Sequence, residues 1–232
     1  MRVNWCARAS ETYFDSDWLQ MPPTIDRSGL DAIARVIATR RSIRRYAQES
    51  VPRDIIDELL RCAVNAPSAH NRQPWRFAVL HGPKSRARLA EAMGDRLRND
   101  RTRDGDPPAV IDADVARSYE RITDAPVVVL VAATGVDMDA YPDPHRIRAE
   151  NLMAVQSTAM AVQNLLLAAH AAGLAGCWMC GPLFCQDVVR SVLNLESDWQ
   201  PQAIVTLGFP ASLGKPHARR PLGDVVRNVE DA

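Results

Sequence analysis

An excess of charge of either sign is missing from this sequence. Lys and Arg number 28, Asp and Glu number 28, and the formal net charge is zero. A chain that grips nucleic acid carries a basic excess, so no nucleic-acid partner is expected. Long apolar runs are missing too: no stretch of about 18 uncharged apolar residues stands out as a membrane span, and residues 1–20 hold no apolar run that would serve as a signal peptide. No membrane association is expected. Cysteine is sparse, with Cys6, Cys62, Cys177, Cys180 and Cys185 scattered along 232 residues. An odd, dispersed set does not read as a disulfide framework, and a reducing cytoplasm is the expected home. The sequence also has no Gly-x-Gly-x-x-Gly between a strand and a helix, no Walker motif and no Gly-x-Ser-x-Gly elbow. Cys177-x-x-Cys180 falls in a strand after a long helix rather than opening a helix, which argues against thiol redox chemistry. No second Cys/His pair stands at metal spacing, so no metal is expected. With no evident nucleophile, no catalytic side chain can be assigned, and chemistry carried by a bound cofactor is favoured.

What is present is an ordinary globular composition, 47% hydrophobic and 24% charged, of a length that suits one substantial domain. Residues 1–25, with Trp5, Tyr13, Phe14 and Trp18 in no clear period, read as an extension that packs over the surface or lids a pocket. Residues 26–232 read as the domain. Apolar spacing predicts helices over 28–39, 52–65, 84–98, 109–121 and 186–193. Residues 75–81, 176–179 and 203–209 read as strands. Residues 126–133, with Val-Val-Val-Leu-Val at their centre, suit a strand buried on both faces. Residues 146–172 form the longest helical candidate, rich in Ala and apolar on most sides from Leu152 onward, as a helix in a large core or an oligomer interface would be. Helices interleaved with few strands predict an α+β or α/β sandwich.

Four segments hold the polar chemistry. Arg40-Arg41-Ser42-Ile43-Arg44 follows a helix and offers forked guanidinium donors and a hydroxyl, the groups that bind phosphate; a solvated helix end is the alternative. Pro67-Ser68-Ala69-His70-Asn71-Arg72-Gln73 is a polar turn between a helix and a strand, with donors and acceptors for a heteroaromatic ligand. Gly176-Cys177-Trp178-Met179-Cys180-Gly181 brings glycines that permit close backbone approach. Lys215 to Arg220 is a second basic cluster, and one phosphate could collect it together with the first.

In this order and spacing the four segments resemble the nitroreductase family, over roughly residues 28–228. The resemblance implies a nitroreductase-like α/β sandwich with a central mixed sheet and a long buried dimer-interface helix. It implies bound FMN, NADH or NADPH as reductant, a small-molecule electron acceptor, and a homodimer with flavin sites at the subunit interface. By position, Arg40 and Ser42 correspond to phosphate ligands, with Arg41 beside them, and Arg44 to the cation near flavin N1 and O2. Pro67, Ser68, Ala69, His70, Asn71 and Gln73 match the segment that reaches FMN from the partner subunit. Met179, Cys180 and Gly181 match the backbone donors to flavin O4 and N5, and Lys215 and Arg220 the pair that closes over the phosphate. A narrower resemblance, carried by Tyr141-Pro142-Asp143, Ala149-Glu150, Gly176-Cys177-Trp178 and residues 192–201, is to the C-terminal reductase domain of the bifunctional ligase that builds the deazaflavin coenzyme. It implies the dehydro precursor of that coenzyme as acceptor, with Arg96, Arg98, Arg101 and Arg103 as cations for an anionic substrate. A generic nitro or quinone reductase, a flavin-fragmenting or dehalogenating relative, and a flavin-binding protein without turnover are the other readings.

Overall fold

The computed structural model describes residues 25–229. The extension read over residues 1–25 lies, except for Ile25, outside the described residues. The order of elements is α1 (Arg27–Thr39), α2 (Arg53–Val64), β1 (Trp75–Leu80), α3 (Pro83–Arg103), α4 (Pro108–Thr123), β2 (Val127–Ala133), α5 (Pro144–Ala171), β3 (Ala175–Met179), α6 (Gln186–Leu193) and β4 (Gln200–Gly208). Short 3-10 turns cover Ala69–Asn71, Gly181–Phe184 and Leu222–Asp224.

The sheet runs β1-β2-β4-β3, and every pairing between these strands is antiparallel. The mixed sheet expected from the sequence is corrected on this point, and the reason is topological. β2, α5 and β3 form a crossover unit whose two strands point the same way, as one intervening helix dictates. β4 then inserts between them, so each neighbouring pair becomes antiparallel. Among the described residues, the one parallel contact is an isolated bridge between Ser42 and Gly176.

Alternation along the strands divides the core into two layers. Val127, Val129 and Val131 of β2 and Val205 and Leu207 of β4 pack with Ile56 and Leu59 of α2 and Val162, Leu165 and Leu166 of α5. Val128, Leu130 and Ile204 face the other way, onto Leu89 and Met93 of α3, Ile122 of α4 and Val189 of α6. All seven residues of β2 are buried, as the apolar run predicts.

The helix α5 is long and apolar enough to span a membrane, with a mean hydropathy of 1.4 in its most apolar window. Here it packs on the sheet through Ala154, Thr158, Ala161, Val162, Leu165 and Ala169. Its opposite stripe, Leu152, Gln156, Ala159, Met160 and Gln163, is exposed in the single chain. The helix expected to be buried is therefore buried along one side only. Gly173, with φ +79, turns the chain out of α5 in the left-handed region that glycine enters without a Cβ penalty.

Candidate functional site

The segment after α1 is stitched into the sheet edge at several points. Ile43 N–H donates to Gly176 O at 3.4 Å, Ala47 N–H to Phe209 O at 2.9 Å, and Ala211 N–H to Arg45 O at 3.1 Å. Tyr46 is the buried hub: its hydroxyl lies 2.6 Å from Ile43 O, 3.0 Å from Thr206 O and 2.7 Å from Thr206 Oγ1. Burial holds its phenol well above the ordinary range. With Ile43 and Tyr46 buried, Ser42, Arg44 and Arg45 are turned outward. Gly176 is required at this join, because a Cβ there would lie 2.9 Å from Leu166 Cδ2 and 3.0 Å from Leu207 Cδ2. Tyr46→Phe removes the buried hydroxyl that joins Ile43 O to Thr206 and is expected to destabilise the fold by about 1–2 kcal/mol. Denaturant unfolding of the two proteins measures it, and an unchanged midpoint would show that the hub is dispensable.

Arg40, Arg41 and Ser42 thus stand beside the start of β3. Arg41 uses Nη1 to close the end of α1, donating to Ala38 O at 2.6 Å and Arg40 O at 2.9 Å. Arg40 and Arg41 also line a cleft of about 280 Å³ with Thr39, His170, Gly173 and Ser212. His170 Nε2 lies 2.8 Å from Thr39 Oγ1 there. Burial raises the pKa of the Cys177 thiol, and the positive charges of Arg44, Arg121 and Arg40 oppose that rise. Among the described residues, Arg40, Arg44 and Arg121 make no ion pair. Cations gathered without a carboxylate repel each other, and an anion relieves the repulsion. The donor set therefore fits a phosphate or another anionic ligand.

Met179 ends β3 opposite Ile204, and Cys180 and Gly181 turn outward from it. Trp178 Nε1–H donates to Cys180 Sγ at 2.8 Å, while Cys177 is buried in the sheet. The basic segment therefore lies beside the start of β3 and the Met179-Cys180-Gly181 turn at its other end, so the five-residue strand spans the two. Arg121 belongs to the basic cluster and was missed in the sequence, where it reads as an ordinary helix arginine. Only the neighbouring Asp-Ala-Pro turn into β2, which returns α4 to the sheet, could have hinted at it.

The polar turn is built differently. His70, Asn71 and Gln73 have φ of 50, 53 and 49°, a left-handed conformation that costs a non-glycine residue on the order of 1–3 kcal/mol. The turn is held by Gln73 N–H donating to Ser68 Oγ at 3.0 Å and by Ala69 N–H donating to Ser157 Oγ of α5 at 3.3 Å. Ala66 and Trp75 clamp its base on Ala161. Pro67, His70, Asn71 and Gln73 are exposed. The turn docks at Ser157 and the basic segment at His170, which places them about 20 Å apart along α5. Lys215 and Arg220 are exposed on a tail whose described residues from Ala211 onward are all exposed. A Cβ at Gly214 would lie 3.1 Å from Arg41 Cβ, so the tail starts against the basic segment.

The arginines read as substrate cations are engaged elsewhere. Arg96 pairs with Asp100 and Asp187, Arg98 with Asp112, Arg101 with Asp106 and Asp114, and Arg103 with Asp100. Arg96 ties α3 to α6, Arg98 and Arg101 tie it to α4, and Arg103 pairs within α3, so aspartates balance the charge of all four. Among the described residues, no group of three or more His, Cys, Asp or Glu is placed to hold a metal.

Comparison with known proteins adds a family context. A model described as "Nitroreductase family" matches residues 37–209. The matched span holds the basic segment, the polar turn and the β3 end, and leaves Lys215 and Arg220 outside. An NADH dehydrogenase of Thermus thermophilus is 31% identical over 211 residues, 81% of this chain and 91% of its own length. A 5,6-dimethylbenzimidazole synthase of Rhodospirillum rubrum is 28% identical, covering 81% of this chain and 86% of its own. A protein of Desulfovibrio desulfuricans classed with the nitroreductases and solved in complex with FMN superimposes with a TM-score of 0.65 at 25% identity, over 86% of this chain and 98% of that one.

Proposed function

The chain belongs to the nitroreductase family, and from that membership we propose that it is an FMN-dependent oxidoreductase that oxidises NADH or NADPH and reduces a small electron-poor acceptor. The observation that carries the reading is the set of unpaired guanidiniums of Arg40 and Arg44 beside the exposed Ser42 hydroxyl and the outward turn at Cys180 and Gly181. When bound, FMN would supply the hydride chemistry between nicotinamide and acceptor. Arg40 and Ser42 would hold its phosphate, together with Lys215 and Arg220 of the exposed tail. Arg44 would offer a fixed positive charge to the pyrimidine edge of the ring, and the backbone N–H groups of Cys180 and Gly181 would be donors to the ring.

The active form is a homodimer with shared sites. The strained turn at residues 67–73 presents His70, Asn71 and Gln73 to solvent at a height on α5 remote from its own basic segment, which suits delivery to a partner's flavin. α1 supports the same reading: Leu30, Ile33 and Ile37 lie on one face and are exposed in the single chain, as are Leu213, Leu222 and Val226 of the tail. An apolar surface this extensive marks an interaction site.

The first test is the ligand itself. The purified protein should be yellow and release one FMN per subunit by mass spectrometry. FAD, heme, or no ligand after reconstitution with FMN would end the proposal. The acceptor is then found by reoxidising NAD(P)H-reduced enzyme under anaerobic conditions. Fast reaction with quinones or nitroaromatics and none with the dehydro precursor of the deazaflavin coenzyme would discard the biosynthetic reading. The similarity to the Rhodospirillum synthase favours one second reading, formation of 5,6-dimethylbenzimidazole, which mass spectrometry of the products of the reduced enzyme tests.

A further inference from the structure

We propose that Glu150 of α5 is a positioning residue for the flavin site of the partner subunit: through Asp139 and Arg72 it holds the turn at residues 67–73 in the shape that reaches across the dimer. The inference rests on the shared-site FMN reading above and deepens it by adding a residue outside the four polar segments.

The turn needs restraint. His70, Asn71 and Gln73 all lie in left-handed backbone, and non-glycine residues stay there only where their surroundings fix them. From below, Ser157 Oγ donates to Met153 O at 2.7 Å and accepts from Ala69 N–H at 3.3 Å. From outside, the support is the loop between β2 and α5. Thr134 N–H donates to Pro74 O at 2.8 Å, and Arg72 pairs with Asp139. Arg76, whose Nη1 donates to Gln73 O at 3.3 Å, lies 3.7 Å from Asp137. Two aspartates of the loop therefore hold two arginines, one inside the turn and one just after it.

The loop carries no helix or strand of its own, so Asp139 must itself be fixed. Its N–H donates to Glu150 Oε2 at 3.3 Å. Glu150 is 6% exposed and makes no ion pair among the described residues. A carboxylate taken out of water without a cation is costly, and an apolar side chain would serve mere packing better. What the carboxylate adds is an acceptor for Asp139. The relay is then continuous: Glu150 fixes the Asp139 backbone, the Asp139 carboxylate fixes Arg72, and Arg72 stands between Asn71 and Gln73. Glu150 and Ser157 are seven residues, two helical turns, apart on one side of α5. One anchors the loop and the other the turn. Both belong to the helix whose outer stripe, Leu152 and Met160, is open to a second subunit. The shape of the turn is thereby tied to the element that sets its distance from the partner's flavin.

The test uses full-length protein and asks which subunit's flavin Glu150 serves. In the homodimer, Glu150→Ala should weaken FMN binding about tenfold, as when the competent form of the turn falls to roughly a tenth of the population, with the dimer intact. Glu150→Gln keeps an oxygen acceptor for Asp139 N–H and should recover most of the affinity. Asp139→Ala breaks an exposed ion pair and should cost less, about threefold; it replaces Glu150→Ala if that protein folds poorly. The decisive sample is a heterodimer of one Arg40→Ala subunit and one Glu150→Ala subunit, isolated through two different tags. If Glu150 acts across the dimer, one flavin site carries both defects and the other carries none, so FMN titration should show one site per dimer with unaltered affinity. A heterodimer in which neither site has unaltered affinity overturns the proposal, because Glu150 then acts on its own subunit's flavin. Unchanged FMN affinity in the Glu150→Ala homodimer overturns it as well. If the unaltered protein binds no FMN or is monomeric, the parent reading fails first, and that result is seen before any variant is made.

Discussion

Leu152→Glu combined with Met160→Glu is expected to convert a dimer into a folded monomer that no longer retains FMN. The two side chains are 56% and 41% exposed and sit on the outer stripe of α5, so glutamate at either position leaves the core of the single chain undisturbed. In a dimer packed on that stripe, two unpaired carboxylates per subunit would be buried. Each uncompensated buried charge costs about 3–5 kcal/mol, so the dimer dissociation constant should rise by at least about a thousandfold. FMN is lost with the interface because the turn at residues 67–73 then has no neighbour to reach. Ala161, by contrast, is fully buried against Ala66 and Trp75; a charge there would unfold the chain and reveal nothing about assembly. Sedimentation and circular dichroism on the double variant separate the outcomes. A variant that stays dimeric removes α5 from the interface. A folded monomer that keeps FMN with unaltered affinity removes the shared site.

The same helix shows how far the sequence could be read. Its length and its apolar character were legible, since residues 146–172 carry few charges and many alanines. Which side faces its own sheet was not, because Leu152 and Met160 are as apolar as Leu165 and Leu166, and only packing distinguishes them. The apolar run of β2 and the short amphipathic α6 were legible for the converse reason: period and burial agree there. Sheet direction was beyond reach, because it depends on β4, the last strand, entering between two strands already placed. α3 continues to Arg103, past the residue 98 that apolar spacing suggested, and its extension is polar. Ion pairs within it, Arg96 to Asp100 and Arg103 to Asp100, and pairs across to α4 sustain it.

The candidate site divides along a similar line. Residues contiguous in the chain, such as Arg40, Ser42 and Arg44, could be grouped from sequence, because an outward-inward alternation keeps them together. Arg121 could not be grouped with them, since its place depends on Pro126 and Tyr46 meeting across the fold. Charge counting also failed among the arginines of α3. Their density suggests an anion site, yet aspartates at helical or cross-helix spacing neutralise them. The useful signal is an arginine without an acidic partner, and that becomes visible only once the fold is known.

Arg40→Ala is expected to weaken FMN binding by about ten- to a hundredfold, the equivalent of one charged hydrogen bond of roughly 1.5–3 kcal/mol. Arg40 has no ion pair to lose among the described residues, so the change should come from the ligand rather than from the protein's stability. Riboflavin, which lacks the phosphate, provides the internal control, and its affinity should change by less than about threefold. Arg40→Lys keeps the charge but not the planar fork, and should recover only part of the affinity. Fluorescence titration of apoprotein with both flavins measures all of this, and raised salt should narrow the gap between FMN and riboflavin. Equal losses for FMN and riboflavin would show that Arg40 supports the ring or the segment and not the phosphate.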